Sequence, residues 1–257
     1  MSHELELNKA NRLRLARAFR HHRRVDFAID CVVEGQMGWA FADDRHQPTA
    51  FVIAIPPFYY FAGDANSPGA QTLLRKLPPY GLLMPSPPDW LAAANHLFPS
   101  LEVFTRYNFT SDGLSQTHLT TLLHNSPYCD RVVPLDASLL ERWVAQPEND
   151  LSIEAFDSPA DFLERGLGFT VLDGEQMLGI AYSSLVCSQG IEVSLYVKER
   201  HRERGVATAL ACQLLLTCLH QGMRPNWDAA NLESYKLAQK LGYTFAGAYE
   251  AYYHSAR

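Results

Sequence analysis

The chain has 257 residues, 47% of them hydrophobic and 19% charged, which suits one large or two small packed domains and not a disordered chain. A formal charge of −6 argues against general affinity for nucleic acid, since that needs cationic surface to displace phosphate counterions. No apolar run is long enough to span a bilayer, the N-terminus is charged where a secretion signal would be apolar, and the five cysteines form no CxxC pair; a cytoplasmic protein with buried thiols is expected, with no membrane partner.

Between Leu5 and Arg24, Leu13, Ala16 and Phe19 recur at near-helical spacing, and the basic run from Arg20 to Arg24 reads first as a solvated helix end. The stretches GWAFADD and TAFVIAI, followed by the aromatic run FYYFAGD, carry the β-branched and aromatic enrichment of strands. Helices are expected near Ala70 to Leu77 and Asp89 to Phe98, then a strand over LEVFTRYNF. The turn-rich HNSPYCD, His124 to Asp130, marks a boundary, giving an N-terminal α/β domain over 1–128 and a second domain over 129–257.

After that boundary the expected order is a strand (RVVPL), a helix (SLLERWV) and an irregular segment through Asp157. SPADFLERG then starts a helix, with Ser158 as N-cap and a proline in the first turn. Three strands follow, GFTVLD, MLGIAYSSLV and IEVSLYV, the first two joined at Asp173 and Gly174. No internal repeat is visible in the sequence. His118 and His124, six residues apart, lack metal-ligand spacing, so no metal is expected. Cys187, with no histidine placed to activate it, reads as a structural thiol.

The chemistry concentrates at Ile191 and beyond, in IEVSLYVKERHRERGVATALACQLLLTCLHQG. A strand, a charged loop with one glycine and an apolar-striped helix follow one another, the stripe carried by Val206, Leu210 and Leu214 with Ala207 and Ala211. The first amides of such a helix have no intrahelical acceptor and form a site for a diphosphate. Gly205 permits close approach of an anion to the backbone, while Arg200, Arg202 and Arg204 add positive charge.

Arg202-x-x-Gly205-x-Ala207 resembles the R/Q-x-x-G-x-G/A signature of GNAT acetyltransferases. WDAANLESYKLAQKLGY resembles that family's later segment, with Asn231, Ser234, Lys240, Gly242 and Tyr243 in matching places. The phrases IEVSLYV, RGVATALA and, in the first half, GWAFADD and FYYFAGD are similar to a subgroup that includes the zwittermicin A self-resistance acetyltransferase. The implied fold is α/β (α+β): a GNAT fold with a mixed, mainly antiparallel sheet in the C-terminal half. Before it comes a smaller α/β domain, read as a degenerate relative of the same fold that walls the acceptor pocket.

The resemblance implies acetyl-CoA as co-substrate and a small-molecule primary amine as acceptor. Acetylation of a protein lysine or N-terminus, and acyl-CoA binding without catalysis, stay open, as does the oligomer, a homodimer included. Leu195, Tyr196 and Val197 would pair with the pantetheine arm. The amides of Glu203, Arg204, Gly205, Val206, Ala207 and Thr208, beside Arg202, would hold the pyrophosphate, with Asn231 on the cofactor's other side. Glu192 is the candidate base, sharing a strand face with Ser194 and Tyr196, and Ser234 lies near the departing sulfur. The family's usual tyrosine acid is replaced by Ala238, which leaves Ser234, water or Tyr235 to protonate the thiolate. Trp227 is expected to pack and Asp228 to orient a neighbour; Tyr249, Tyr252 and Tyr253 read equally as site lining and as core.

Overall fold

A computed structural model describes residues 2–98, 100–146, 151 and 153–255. Its chain divides into two compact units, Met1–Arg106 with Ala248–Arg257, and Tyr107–Gly247. The irregular segment expected before Asp157 lies partly outside the described residues.

In the first unit, β2 (Trp39–Ala42), β3 (Ala50–Ile55) and β4 (Phe58–Gly63) form an antiparallel run, with β1 (His3–Glu4) on β2. β4 pairs in parallel with the short β5 (Leu82–Leu83), which in turn pairs with the end of β12 (Thr244–His254) at Tyr252. Every residue of β3 is buried because both faces are covered, which explains an apolar run without alternation. On one face Val52, Tyr59 and Phe61 pack with Leu73 of α3 (Ala70–Leu74) and Trp90 of α4 (Pro88–Leu97). α1 (Lys9–Ala18) and α2 (Ala28–Glu34) also belong to this unit, α2 against β3. The seven residues of α2 are too few to show a clear helical period in the sequence.

The second unit has the strand order β7 (Val132–Pro134), β8 (Gly168–Asp173), β9 (Gln176–Cys187), β10 (Gly190–Val197), β11 (Arg224–Ala229), then the end of β6 (Leu101–Thr110). All neighbours are antiparallel except β10 and β11. The long α8 (Val206–His220) lays Val206, Leu210 and Leu214 against Val171, Leu178 and Ile191. Burying such side chains is worth roughly 1.5–3 kcal/mol each. α5 (Gln116–His124), which the sequence pattern does not predict, packs Leu119 and Leu123 with Ala211, Leu215 and Phe109. α6 (Ala137–Val144), α7 (Pro159–Arg165), capped by the Ser158 side chain, and α9 (Leu232–Leu241) complete the unit.

The division by contacts thus falls at 106/107 and 247/248 and not at 128/129. A cut at 128/129 would strip the second unit of α5 and of Phe109, which pairs with Trp227. The turn at HNSPYCD joins two elements of one core, and turn residues alone do not distinguish that from a linker.

The two units repeat one topology. Three consecutive antiparallel strands lead through a helix to a parallel fourth strand, then to a second helix, and the fourth strand pairs antiparallel with a last one. The last strands are exchanged along the chain: the end of β6 pairs with β11, and the end of β12 with β5. Among the described residues no helix is long and apolar enough to cross a membrane, and no group of His, Cys, Asp and Glu is arranged to hold a metal.

A polar cluster lies inside the first unit. The carboxylate of Asp26, raised in pKa by burial, accepts from the Ala28 amide at 2.9 Å and from the Tyr60 hydroxyl. His22 sits between Phe19 and Tyr60 with its Nε2 buried and without a hydrogen-bond partner, and burial lowers its pKa from 6.5 to about 4. Unfolding restores the ordinary value, so the unfolded chain binds the extra proton between those two pH values. The stability held by neutral His22 is therefore full above about pH 6.5 and is lost as the pH falls towards 4, by about 3 kcal/mol in all. Urea unfolding across that window is expected to show this loss, and to show less of it in His22→Gln.

Candidate functional site

β10 and β11 begin side by side and then part. Their parallel pairing runs only through Gly190 to Glu192 against Arg224 to Asn226. At the closed end, a Cβ on Gly190 (φ 153°) would lie 1.9 Å from the Arg224 carbonyl oxygen, so only glycine permits the approach. Beyond Asn226, β11 turns its pairing to β6, Trp227 to Ala229 against Phe109 to Tyr107. β10 continues to Val197 on β9 alone, leaving the other flank of Val193 to Val197 without a strand.

Alternation along β10 directs Val193 and Leu195 into the core shared with α8. Glu192, Ser194 and Tyr196 share the opposite face, and Tyr196 meets the Trp143 ring edge-on at 6.0 Å. Glu192 is only 9% exposed and stands at the last paired position before the opening. The Asn226 side-chain amide donates to both its oxygens, at 3.2 and 3.0 Å, compensating a charge that burial would otherwise penalise. Asn226 was absent from the sequence-derived set. It meets Glu192 through strand register across 34 residues, and no local pattern carries that pairing.

At the end of β10 a 3-10 turn, Glu199–His201, leads to Arg202, whose Nε donates to the Val197 carbonyl at 3.2 Å. That bond braces the loop against the strand. Glu203 and Gly205 both take positive φ, 60° and 89°, a backbone of the kind that turns successive N–H groups to one side. Among the described residues the amides of Glu203, Arg204, Gly205, Val206, Ala207 and Thr208 donate to no carbonyl or side chain. Nothing lies within 4 Å of where a Gly205 Cβ would point, so the space beside Gly205 is open. Partial burial and then the charges of Arg200, Arg204 and Lys198 lower the pKa of His201.

The first unit's counterpart loop between β4 and α3 differs in kind. Its residues Asp64 to Gly69 include no cation, the Ala70 amide is satisfied by the Ser67 carbonyl at 3.0 Å, and Gly69 packs on Asp43. Such a loop carries no cation to attract a diphosphate.

Asn231 caps α9, its Oδ1 accepting from the Ser234 amide at 2.8 Å, which leaves its NH2 for other partners. The Ser234 hydroxyl accepts from the Trp227 indole at 3.1 Å and keeps its own hydrogen to donate. Lys240 Nζ donates to Thr208 Oγ1 at 3.0 Å, tying α9 to the first turn of α8. Ala238 is fully buried in the core of the second unit. Tyr235 packs among Tyr107, Phe109 and Phe245, with its hydroxyl accepting from Gln239 at 3.2 Å. Tyr243 is buried, its hydroxyl donating to the Pro225 carbonyl at 3.2 Å. The expected packing role of Trp227 holds, at 4% exposure. Burial pushes the thiols of Cys212 and Cys218 up to about 12, and Cys187 is buried as well.

A model of the GNAT acetyltransferase family matches residues 18–252, across both units. The uncharacterized N-acetyltransferase YdfB of Bacillus subtilis is 31% identical over 102 residues, which is 39% of this chain and 39% of that protein's length. The crystal structure of a GCN5-related N-acetyltransferase-like protein from Streptococcus suis is 29% identical, with TM-score 0.83 over 96% of this chain and 99% of that one. A tandem GNAT protein from the clavulanic acid biosynthesis pathway shares the fold at 13% identity, TM-score 0.59, over 98% of this chain and 96% of that one.

A diphosphate on the loop would offset the positive charges beside His201. Adding inorganic pyrophosphate is therefore expected to raise the His201 pKa towards its ordinary value, as read by NMR titration of the imidazole, with His3 as an internal control.

Proposed function

Given that the chain belongs to the GNAT acetyltransferase family and is an acetyltransferase, we propose that it transfers the acetyl group of acetyl-CoA to a primary amine of a small molecule. The observation that carries this reading is the parting of β10 from β11 directly before a loop of six free amides. The residues present fit the co-substrate. The amides of residues 203–208 suit its pyrophosphate, and the open flank of β10 suits an extended amide-bearing arm. Because Arg202 occupies the Val197 carbonyl, pairing with that arm falls mainly to Leu195 and Tyr196. Bound there, acetyl-CoA supplies an acyl group activated as a thioester.

Glu192 accepts the proton that the amine must lose to become a nucleophile, and Asn226 fixes its carboxylate at the mouth of the opening. Asn231 turns its free NH2 towards the co-substrate. Ser234, whose oxygen accepts from Trp227, keeps its hydrogen to offer a departing thiolate. That donation is helpful without being indispensable, since a thiol with a pKa near 8.5 leaves tolerably as the anion at neutral pH. The likeness of IEVSLYV and RGVATALA to the zwittermicin A self-resistance subgroup supports an antibiotic or related metabolite as acceptor.

Calorimetric titration with acetyl-CoA is expected to show binding that Gly205→Trp abolishes, because the indole would fill the space before the amides. Binding that survives the substitution would place the co-substrate elsewhere. Glu192→Gln is expected to keep acetyl-CoA affinity while lowering turnover about 10²–10⁴-fold and removing the acid limb of its pH profile. An unchanged profile would remove Glu192 from the mechanism.

A further inference from the structure

The first unit has an opening of its own, and it lies elsewhere in the repeated topology. Its fourth strand stays with the third, since the Met84 amide donates to the Tyr59 carbonyl at 2.9 Å beyond the last paired residues of β5. Its last strand is the one that departs. β12 holds β5 where Tyr80 donates to the His254 carbonyl and Tyr252 faces Leu83, and then leaves it. In the second unit the corresponding strands, β11 and β6, stay paired through three residues. The cleft so formed measures about 210 Å³, below the range of roughly 300–1,000 Å³ that receives drug-sized ligands. It is therefore the size of a small metabolite.

Its lining has an apolar body, to which Leu83, Met84, Pro85 and Leu91 contribute, and two charged groups of opposite sign, Arg23 and Glu250. The Arg23 guanidinium stands over the Tyr249 ring at 5.4 Å. Stacking of this sort fixes the plane of the group and leaves its N–H edge for a planar anion. Among the described residues that side chain donates to no acceptor. Tyr249 is itself held from behind, its hydroxyl accepting from the buried Arg106 at 3.1 Å, so the platform is rigid. On the other side the Tyr252 hydroxyl donates to Glu250 Oε2, which orients the carboxylate and leaves Oε1 without a donor. Arg23 and Glu250 form no ion pair with each other.

We propose that this cleft binds a zwitterionic α-amino acid with an apolar side chain, its carboxylate on Arg23, its ammonium on Glu250 and its side chain on the leucine and methionine surface. Two opposite charges held apart in one cleft match a ligand that carries both, better than a ligand with one. The site lies within the first unit, whereas the proposed acetyl-transfer opening belongs to the second.

The test is calorimetric titration of the full chain with L-leucine, with isocaproate, which lacks the ammonium, and with isoamylamine, which lacks the carboxylate. Leucine is expected to bind more tightly than either. Arg23→Gln should weaken leucine about ten- to a hundredfold and leave isoamylamine unchanged, and Glu250→Gln should weaken leucine similarly and leave isocaproate unchanged. Both side chains are exposed, and equal thermal unfolding with intact acetyl-CoA binding would show that the variants fold. No heat with leucine at millimolar concentration, equal affinity for all three probes, or leucine affinity indifferent to both substitutions would overturn the assignment. Acetyl-CoA binding in the same preparations keeps that failure separate from a failure of the acetyl-transfer reading.

Discussion

Gly190 brings the backbones of β10 and β11 closer than any other residue would allow, and two residues later the strands separate. Most of the second unit's chemistry depends on this short contact. A parallel pair held tight over its whole length would satisfy its own backbone groups and offer none to a ligand. A pair never joined would give the following helix no fixed origin. Pairing at one end only gives both results: β10 is anchored firmly enough to aim α8, while the flank of Val193 to Val197 keeps its backbone groups outside the pairing with β11. The Glu192 and Asn226 contact falls at the branch point, where the Asn226 amide supplies a buried carboxylate with hydrogen bonds.

The repeated topology makes the division of labour between the units chemically explicit. Both units contain a strand, a loop and a helix in the same order. One loop has positive-φ residues, free amides and neighbouring arginines; the other has a single aspartate and no cation, a satisfied first amide and a helix of five residues. Sign of charge and availability of N–H groups decide which can face a diphosphate. The repeat is invisible in the sequence because the two copies keep only what packing demands, an apolar inner face. Their strands achieve that differently: β3 is buried on both faces and reads as a continuous apolar run, whereas β10 has half-buried residues at its open end.

What could be read from the sequence follows the range of the interactions. The loop after β10 and the helix α8 were legible because a local motif and a periodic apolar stripe encode them. α7 was legible through its Ser158 cap and first-turn proline. Long-range features were not. Asn226 reaches Glu192 only through register, and the exchange of β6 and β12 moves the division of the chain away from the turn at HNSPYCD. Arg202 turns its guanidinium back to the Val197 carbonyl, a direction that spacing does not encode.

Ala238 shows how a missing group can be consistent with the chemistry around it. A tyrosine there would have to displace atoms from a core in which Ala238 is fully buried beside Leu241 and Tyr243, and overpacking such a position typically costs 1–3 kcal/mol. The nearby phenols are committed elsewhere, Tyr243 to the Pro225 carbonyl and Tyr235 to an aromatic cluster. α9 carries its polar groups nearer its start, with Asn231 as the cap and Ser234 in the first turn. Positive partial charge at that helix end stabilises an anion without any proton transfer. A thiolate leaving towards it needs a proton less than one leaving into an apolar pocket, so the substitution and the cap make a coherent pair.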